Sequence, residues 1–150
     1  MPQKPIIRAV QPDDLQAWRA LWDAYCAALG ATIPTAVTTG LWQRILDPDY
    51  SVGCLVACGS WNEPLGLAHY ILHPHTWSPQ PVCYLEDLFV APGARRLGAG
   101  RHLIERLVTM GRDLGWRRVY WHTHDDNVAG LALYDRLAER TDYVRYDIEL

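Results

Sequence analysis

No stretch of this chain approaches the eighteen or so consecutive apolar residues of a membrane span, and its opening, MPQKPIIRAVQPDD, carries no secretory h-region. A cytoplasmic protein without membrane attachment is expected. The four cysteines, Cys26, Cys54, Cys58 and Cys83, form no CxxC pair, and the Cys54 to Cys58 spacing sits in an apolar run that reads as strand. Buried free thiols are expected there. No HExxH helix or Cys/His finger accompanies the six histidines, although His73 with His75 and His122 with His124 are spaced to share strand faces. No metal is expected. Charge of one sign is also scarce: 14 Lys and Arg against 17 Asp and Glu give −3, which offers little to nucleic acid but tolerates a cationic substrate. Neither internal repeats nor low-complexity tracts occur.

What is present is an ordinary globular balance, 49% hydrophobic and 21% charged over 150 residues, which implies one domain, 1–150, able to bury about two thirds of its unfolded surface. Ile6 to Val10 reads as a strand. Gln11 to Asp14 then open a helix whose apolar residues Leu15, Trp18, Trp22, Tyr25 and Leu29 recur at three and four until Gly30 ends it. A shorter helix is expected from Thr38 to Leu46. Val52 to Cys58 and Leu65 to Leu72 read as a hairpin-like pair of strands, and Val82 to Val90 as the next. Leu103, Ile104, Leu107, Val108, Gly111 and Leu114 give one face of a helix that Gly115 stops. Val119 to Thr123 reads as strand, HDDN as a turn, Val128 to Arg140 as a helix, and Val144 to Leu150 as a final strand.

The most informative segment is Leu88 to Gly100, LFVAPGARRLGAG, which ends a strand and opens a helix. The first backbone N–H groups of a helix have no internal partner and sit at the positive end of its dipole, so they bind anions. Glycines let a ligand approach that backbone, and Arg95 and Arg96 add fork-shaped donors for phosphate oxygens. A nucleoside triphosphate loop would need Gly-Lys-Ser/Thr where Gly100, Arg101 and His102 stand. A dinucleotide fingerprint would need a third glycine where Leu103 stands. An ordinary glycine turn before a helix is the plain rival.

The pattern Val90, Pro92, Arg95, Gly98, Gly100 resembles the acetyl-coenzyme A loop of the GNAT family of N-acetyltransferases. The order of elements is similar to that fold over nearly the whole chain. A second likeness is Asn127 followed seven residues later by Tyr134, two helical turns and so one face. The resemblance implies an α/β fold of α+β type: a mixed, mostly antiparallel sheet with two central parallel strands, Val82 to Val90 and Val119 to Thr123, that splay apart around acetyl-CoA. It implies backbone bonds from Phe89 and Val90 to the pantetheine arm, Leu88 near the acetyl carbonyl, and a pyrophosphate cradle over Arg95, Arg96, Leu97, Gly98, Ala99, Gly100 and Arg101. Asn127 would bond the cofactor arm and Tyr134 would reach its sulfur. Arg96 stands where many members carry a glycine, and a left-handed backbone there would be strained.

The implied activity moves the acetyl group of acetyl-CoA to a primary amine, directly in a ternary complex without a metal. An aliphatic amine is mostly protonated at pH 7 and must lose a proton before attack. Glu86 is the candidate base and Tyr134 the candidate acid, with Glu86, Asp87 and His122 as candidate substrate contacts. Each has a plain rival: Tyr134 could be core, Asp87 could pair with an arginine, and Glu86 and Asp87 point to opposite strand faces unless a bulge intervenes. Trp18, Trp22 and Trp42 read as core, whereas Trp61, Trp77 and Trp121 could line an acceptor site. YLEDLFV, YWHTHDDN, LYDRLA and RYDIEL look like the branch holding polyamine and histone-tail acetyltransferases. The expected acceptor is a small amine or polyamine, with a lysine side chain or peptide N-terminus second. A noncatalytic acyl-CoA sensor and a nucleotide-binding module are the alternatives, and a homodimer through the edge of RYDIEL is the expected assembly.

Overall fold

A computed structural model describes residues 3–150. Alternation of small and branched apolar residues makes Val52–Cys58 (β2) a strand buried on both faces. Cys54, Val56 and Cys58 enter one core, and Leu55 and Ala57 the other. Ile6–Ala9 (β1) pairs antiparallel on one side of it and Pro64–His75 (β3) on the other. Ser78–Val90 (β4) follows through a tight turn. Val119–Tyr120 (β5) lies parallel to β4, giving the order β1-β2-β3-β4-β5.

Helices cover both faces. Leu15–Ala28 (α1) and Thr35–Leu46 (α2) bury Trp18, Leu21 and Trp42 against Cys54, Val56, Leu67 and Phe89. Ala99–Leu114 (α3) buries Leu103, Ile104 and Leu107 against Leu55, Ala68, Cys83 and Leu85 on the other face, where Val128–Leu137 (α4) adds Tyr134 and Leu137. The stripe of aromatics expected in α1 therefore is core, with Trp18 completely buried. All four cysteines are free and buried, as expected. Among the described residues no helix is long and apolar enough to cross a membrane.

The far end of the sheet departs from the expected layout. Val144 to Leu150 pairs with no strand, and every residue from Ala138 to Leu150 is exposed. With that strand missing, β5 is the sheet's edge and not one of two central strands. β5 also bonds to β4 only at Cys83↔Val119 and Tyr84↔Tyr120, so the backbone pairing of the two parallel strands ends beyond Tyr84, in keeping with the expected splay. Helix α4 stops at Leu137, three residues before its expected end, because Ala138 turns to an extended backbone. Helix α2 starts three residues earlier than expected, after Pro34.

Candidate active site

The loop after β4 is a 3-10 turn, Pro92–Leu97, followed by Gly98 at φ 70° and then α3. That left-handed glycine redirects the chain so that the first free N–H groups of α3 face outward: His102 N is already bonded to Gly98 O, leaving Ala99, Gly100 and Arg101 without partners inside the helix. A Cβ on Gly98 would meet nothing within 4 Å, so the cradle is open. Among the described residues Asn62 is the one non-glycine residue with a positive φ, so Arg96 is not left-handed and the strain that such a backbone would carry there does not arise. Arg96 and Arg101 line a shallow cleft of ≈ 300 Å³ with Lys4 and His102. The His102 Nδ1 is buried, 3.4 Å from a Glu105 carboxylate oxygen but without hydrogen-bond geometry. Arg95 instead folds back, its Nε donating to Val90 O at 3.1 Å with the guanidinium 5.8 Å from the Phe89 ring centre.

Helix α4 lies beside this loop, because the open face of Gly100 is bounded by Leu88, Val90 and Leu133 at 3.9–4.0 Å from where its Cβ would be. Asn127 is the N-cap of α4. Its side-chain oxygen accepts from Gly130 N and its amide donates to Thr123 Oγ1 at 2.9 Å, which leaves one N–H and one lone pair for a ligand. Tyr134 packs edge-on against Trp121 with ring centres 5.3 Å apart, and burial raises its phenol's pKa, so it holds its proton at neutral pH. The α4 helix thus stands against the end of β4 on the α3 side of the sheet.

On the opposite face, β4 carries a bulge. Asp87 pairs with His69 and Leu85 with Tyr70, leaving Glu86 as an extra residue. Leu85 enters the α3-side core, so Glu86 projects to the α1/α2 side, and Asp87 is on that side too, bonded to His69. The bulge expected as a condition is therefore present, and both carboxylates share one face. Burial first and the Asp87 charge second raise the pKa of the Glu86 carboxyl.

A chain of hydrogen bonds that starts in the core fixes Asp87. Trp18 Nε1 donates to His69 Nε2 at 3.0 Å, so Nδ1 carries the ring proton and donates to an Asp87 oxygen at 3.0 Å. Tyr25 packs beside Phe89, its phenol raised by burial first and by the Asp87 charge second. Sequence reasoning missed His69 and Tyr25 and treated Trp18 only as core; the signal lay in the β3–β4 register, which sets His69 opposite Asp87. Two further tyrosines were also missed. Tyr84 stacks on Tyr120 at 5.0 Å and bonds His122 Nδ1 through its hydroxyl at 3.2 Å, while Tyr120 bonds His73 Nε2 at 2.7 Å. His122 thus joins the carboxylate face.

The remaining candidates are not gathered here. Trp61 and Trp77 lie on the β2–β3 and β3–β4 turns, 90% and 82% exposed, and Trp121 faces α4, so Trp121 supports Tyr134 and does not line an acceptor face. Among the described residues no group of three or more His, Cys, Asp or Glu side chains is placed to hold a metal ion.

Residues 15–138 match the sequence profile of the acetyltransferase (GNAT) family. The chain is similar to a D-amino-acid N-acetyltransferase of Saccharomyces cerevisiae, 34% identical over 142 residues that cover 94% of this chain and 88% of the relative. It is also similar to a thialysine N-epsilon-acetyltransferase of Caenorhabditis elegans, 37% identical over 83 residues covering 55% of this chain and 49% of that one. Among solved structures, a probable acetyltransferase superposes with a TM-score of 0.86 at 20% identity, covering 97% of each chain. AAC(6')-Iy in complex with a bisubstrate analogue superposes at 0.82 with 22% identity, covering 99% of each.

Proposed function

The chain belongs to the acetyltransferase (GNAT) family, and from that premise we propose that it moves the acetyl group of acetyl-CoA to the primary amine of a small acceptor by direct transfer. The observation that carries the proposal is the bulge at Glu86, which turns two carboxylates to one face of β4 just where β4 and β5 part. The open, left-handed Gly98 and the free N–H groups of Ala99, Gly100 and Arg101 fit a diphosphate, with Arg96 and Arg101 nearby as counter-charges. Phe89, Val90 and Leu88 supply the strand along which the pantetheine arm runs, and Arg95 ties the turn back to the Val90 carbonyl.

Bound acetyl-CoA supplies a thioester carbon open to attack and a thiolate to leave. Asp87, held by His69, attracts and orients the acceptor's ammonium through its charge. Glu86 accepts the ammonium proton, directly or through one water. Tyr134 donates its phenol proton toward the departing sulfur. Asn127 keeps one N–H for the cofactor arm while its other bonds hold the start of α4 in place.

Within small amines, the favoured acceptor is one that also carries a carboxylate, a free amino acid. The names of the yeast and nematode relatives agree with that choice. A polyamine, which has no carboxylate, is the second reading, supported by the paired Glu86 and Asp87. The test measures thiol release from acetyl-CoA with D- and L-amino acids, thialysine, a polyamine and a lysine peptide, in wild type and Tyr134→Phe. Turnover is expected on an amino acid, with kcat falling by about 10²–10⁴ in Tyr134→Phe and the KM for acetyl-CoA little changed. Cofactor binding without turnover on any amine would overturn the enzyme reading in favour of a sensor.

A further inference from the structure

Beside Glu86, on the same face of the sheet, stand two tyrosines that join neither hydrophobic core. Tyr84 lies between Cys83 and Leu85, which both enter the α3-side core, so its ring projects to the face where Glu86 and Asp87 emerge. Tyr120 is its direct partner on β5 and turns the same way, because the next residue, Trp121, faces α4. Opposite Tyr84 on β3 is Ile71, also partly exposed. Helices α1 and α2 pack over the neighbouring half of that face, against Val56, Leu67 and Phe89, and leave this half to the tyrosines.

Both rings are held in place. His73 Nδ1 meets the carbonyl oxygen of Pro74 at 2.9 Å, and a carbonyl only accepts, so Nδ1 carries the proton and Nε2 of the neutral imidazole accepts from the Tyr120 hydroxyl at 2.7 Å. The Tyr84 hydroxyl bonds His122 Nδ1 at 3.2 Å, and His122 packs edge-on against Tyr84 and Tyr120 with ring centres 5.4 and 6.0 Å away. The tyrosines themselves stack at 5.0 Å and 28°. Side chains so fixed have lost their rotamer freedom on folding, and a ligand that rests on them does not bear that cost again.

We infer that Tyr84 and Tyr120 form the floor of the acceptor pocket and select an amino acid with an aromatic side chain, whose ring packs on the tyrosine pair while its amine meets Glu86 and Asp87. The spacing fits: Tyr84 precedes Glu86 by two residues, about 7 Å along the strand, roughly the span from the amine to the ring of such an acceptor. So does the chemistry. Ile71, His73, Tyr84, Tyr120 and His122 carry no carboxylate, so the second ammonium of a polyamine finds no counter-charge there, whereas a flat apolar ring gains stacked and edge-on contacts. The inference rests on the reading of Glu86 and Asp87 as the place where the amine binds.

The test compares phenylalanine with alanine, each as both enantiomers, because the two share amine and carboxylate and differ by the ring. Calorimetric titration into the full chain saturated with coenzyme A reads binding without turnover, and thiol release from acetyl-CoA reads kcat/KM. In wild type the better phenylalanine enantiomer should bind at least about tenfold more tightly than the better alanine enantiomer. Tyr84→Ala and Tyr120→Ala should each bring that ratio to within about twofold, while Tyr84→Phe, which keeps the ring, should preserve it. A wild type that binds alanine as tightly as phenylalanine, or binds neither, would overturn the inference, and the wild-type comparison requires no variant to fold. A ring preference that survives both alanine substitutions would overturn it as well, by putting the ring elsewhere. Phenylalanine binding that depends on Tyr84 and Tyr120 but yields no thiol would support the floor and sink acetyl transfer; thiol release without ring preference would sink the floor alone.

Discussion

Gly98 and Gly100 stand two residues apart in one turn, and their alanine variants separate what the fold requires from what the ligand requires. Gly98 sits at φ 70°, where an L side chain costs roughly 1–2 kcal/mol, although a Cβ there would meet no atom within 4 Å. Gly98→Ala should therefore lose about 1 kcal/mol net, once the stiffer unfolded chain is credited, and melt some 2–4 °C lower. Gly100 is helical, and its Cβ would rest in ordinary contact with Val90 at 3.9 Å and with Leu88 and Leu133 at 4.0 Å. Helix propensity gains about 0.5–1 kcal/mol from Gly to Ala, so Gly100→Ala should melt at or slightly above wild type.

The added methyl at Gly100 would nonetheless occupy the space between the end of β4 and α4, along which the cofactor's arm is proposed to run. A loss of at least about 1.4 kcal/mol, tenfold in Kd for coenzyme A, is expected from the displaced arm and blocked amide. Thermal melts and calorimetric titration of both variants read the two effects separately. If Gly100→Ala melts like wild type and still binds coenzyme A within about twofold, the diphosphate cradle is not at this turn. If Gly98→Ala melts unchanged, the left-handed turn is not required.

Two further variants read the carboxylates. Glu86 has its carboxyl raised by burial and by Asp87, so its folded form favours the proton: that contribution to stability is present below its ordinary 4.5 and is lost as pH rises through the raised value. Glu86→Gln should consequently melt higher than wild type at pH 7, with the difference vanishing in acid, while losing the acidic limb of the kcat/KM profile; a melting gain that persists unchanged below pH 4.5 would contradict the assignment. Asp14 is the opposite case, its carboxyl lowered first by the Arg8 guanidinium, which it meets at 2.7 and 2.9 Å, with backbone Gln11 N adding a further bond. That stability is present above 3.8 and lost as pH falls through the lower folded value, so Asp14→Asn should cost about 3 kcal/mol at pH 7 and little in strong acid, read by denaturant melts across pH.

What the sequence made legible was whatever depends on local periodicity or on one turn. The four-residue rhythm of α1, the two-sided apolar run of β2 and the glycine spacing before α3 each follow from side-chain direction along a single element, and each stands in the structure. The expected strand at Val144 to Leu150 shows the limit of that reasoning. Its alternation is real, but alternation specifies a strand without specifying which edge receives it, and no edge within one copy does.

The carboxylate face needed more than periodicity. Strict alternation along YLEDLFV sets Glu86 and Asp87 on opposite faces; only the cross-strand register, with His69 opposite Asp87 and Tyr70 opposite Leu85, shows that Glu86 is inserted and that the phase shifts there. Register is a property of two strands, and the buried Trp18 N–H that fixes the tautomer of His69 comes from a helix some fifty residues away. The consequence runs from packing to chemistry. Because Trp18 occupies one nitrogen of His69, the other must face Asp87 as a donor, and Asp87 is thereby kept an acceptor on the face where Glu86 emerges. A tryptophan that reads as core in the sequence thus also orients the carboxylate proposed to meet the acceptor's charge.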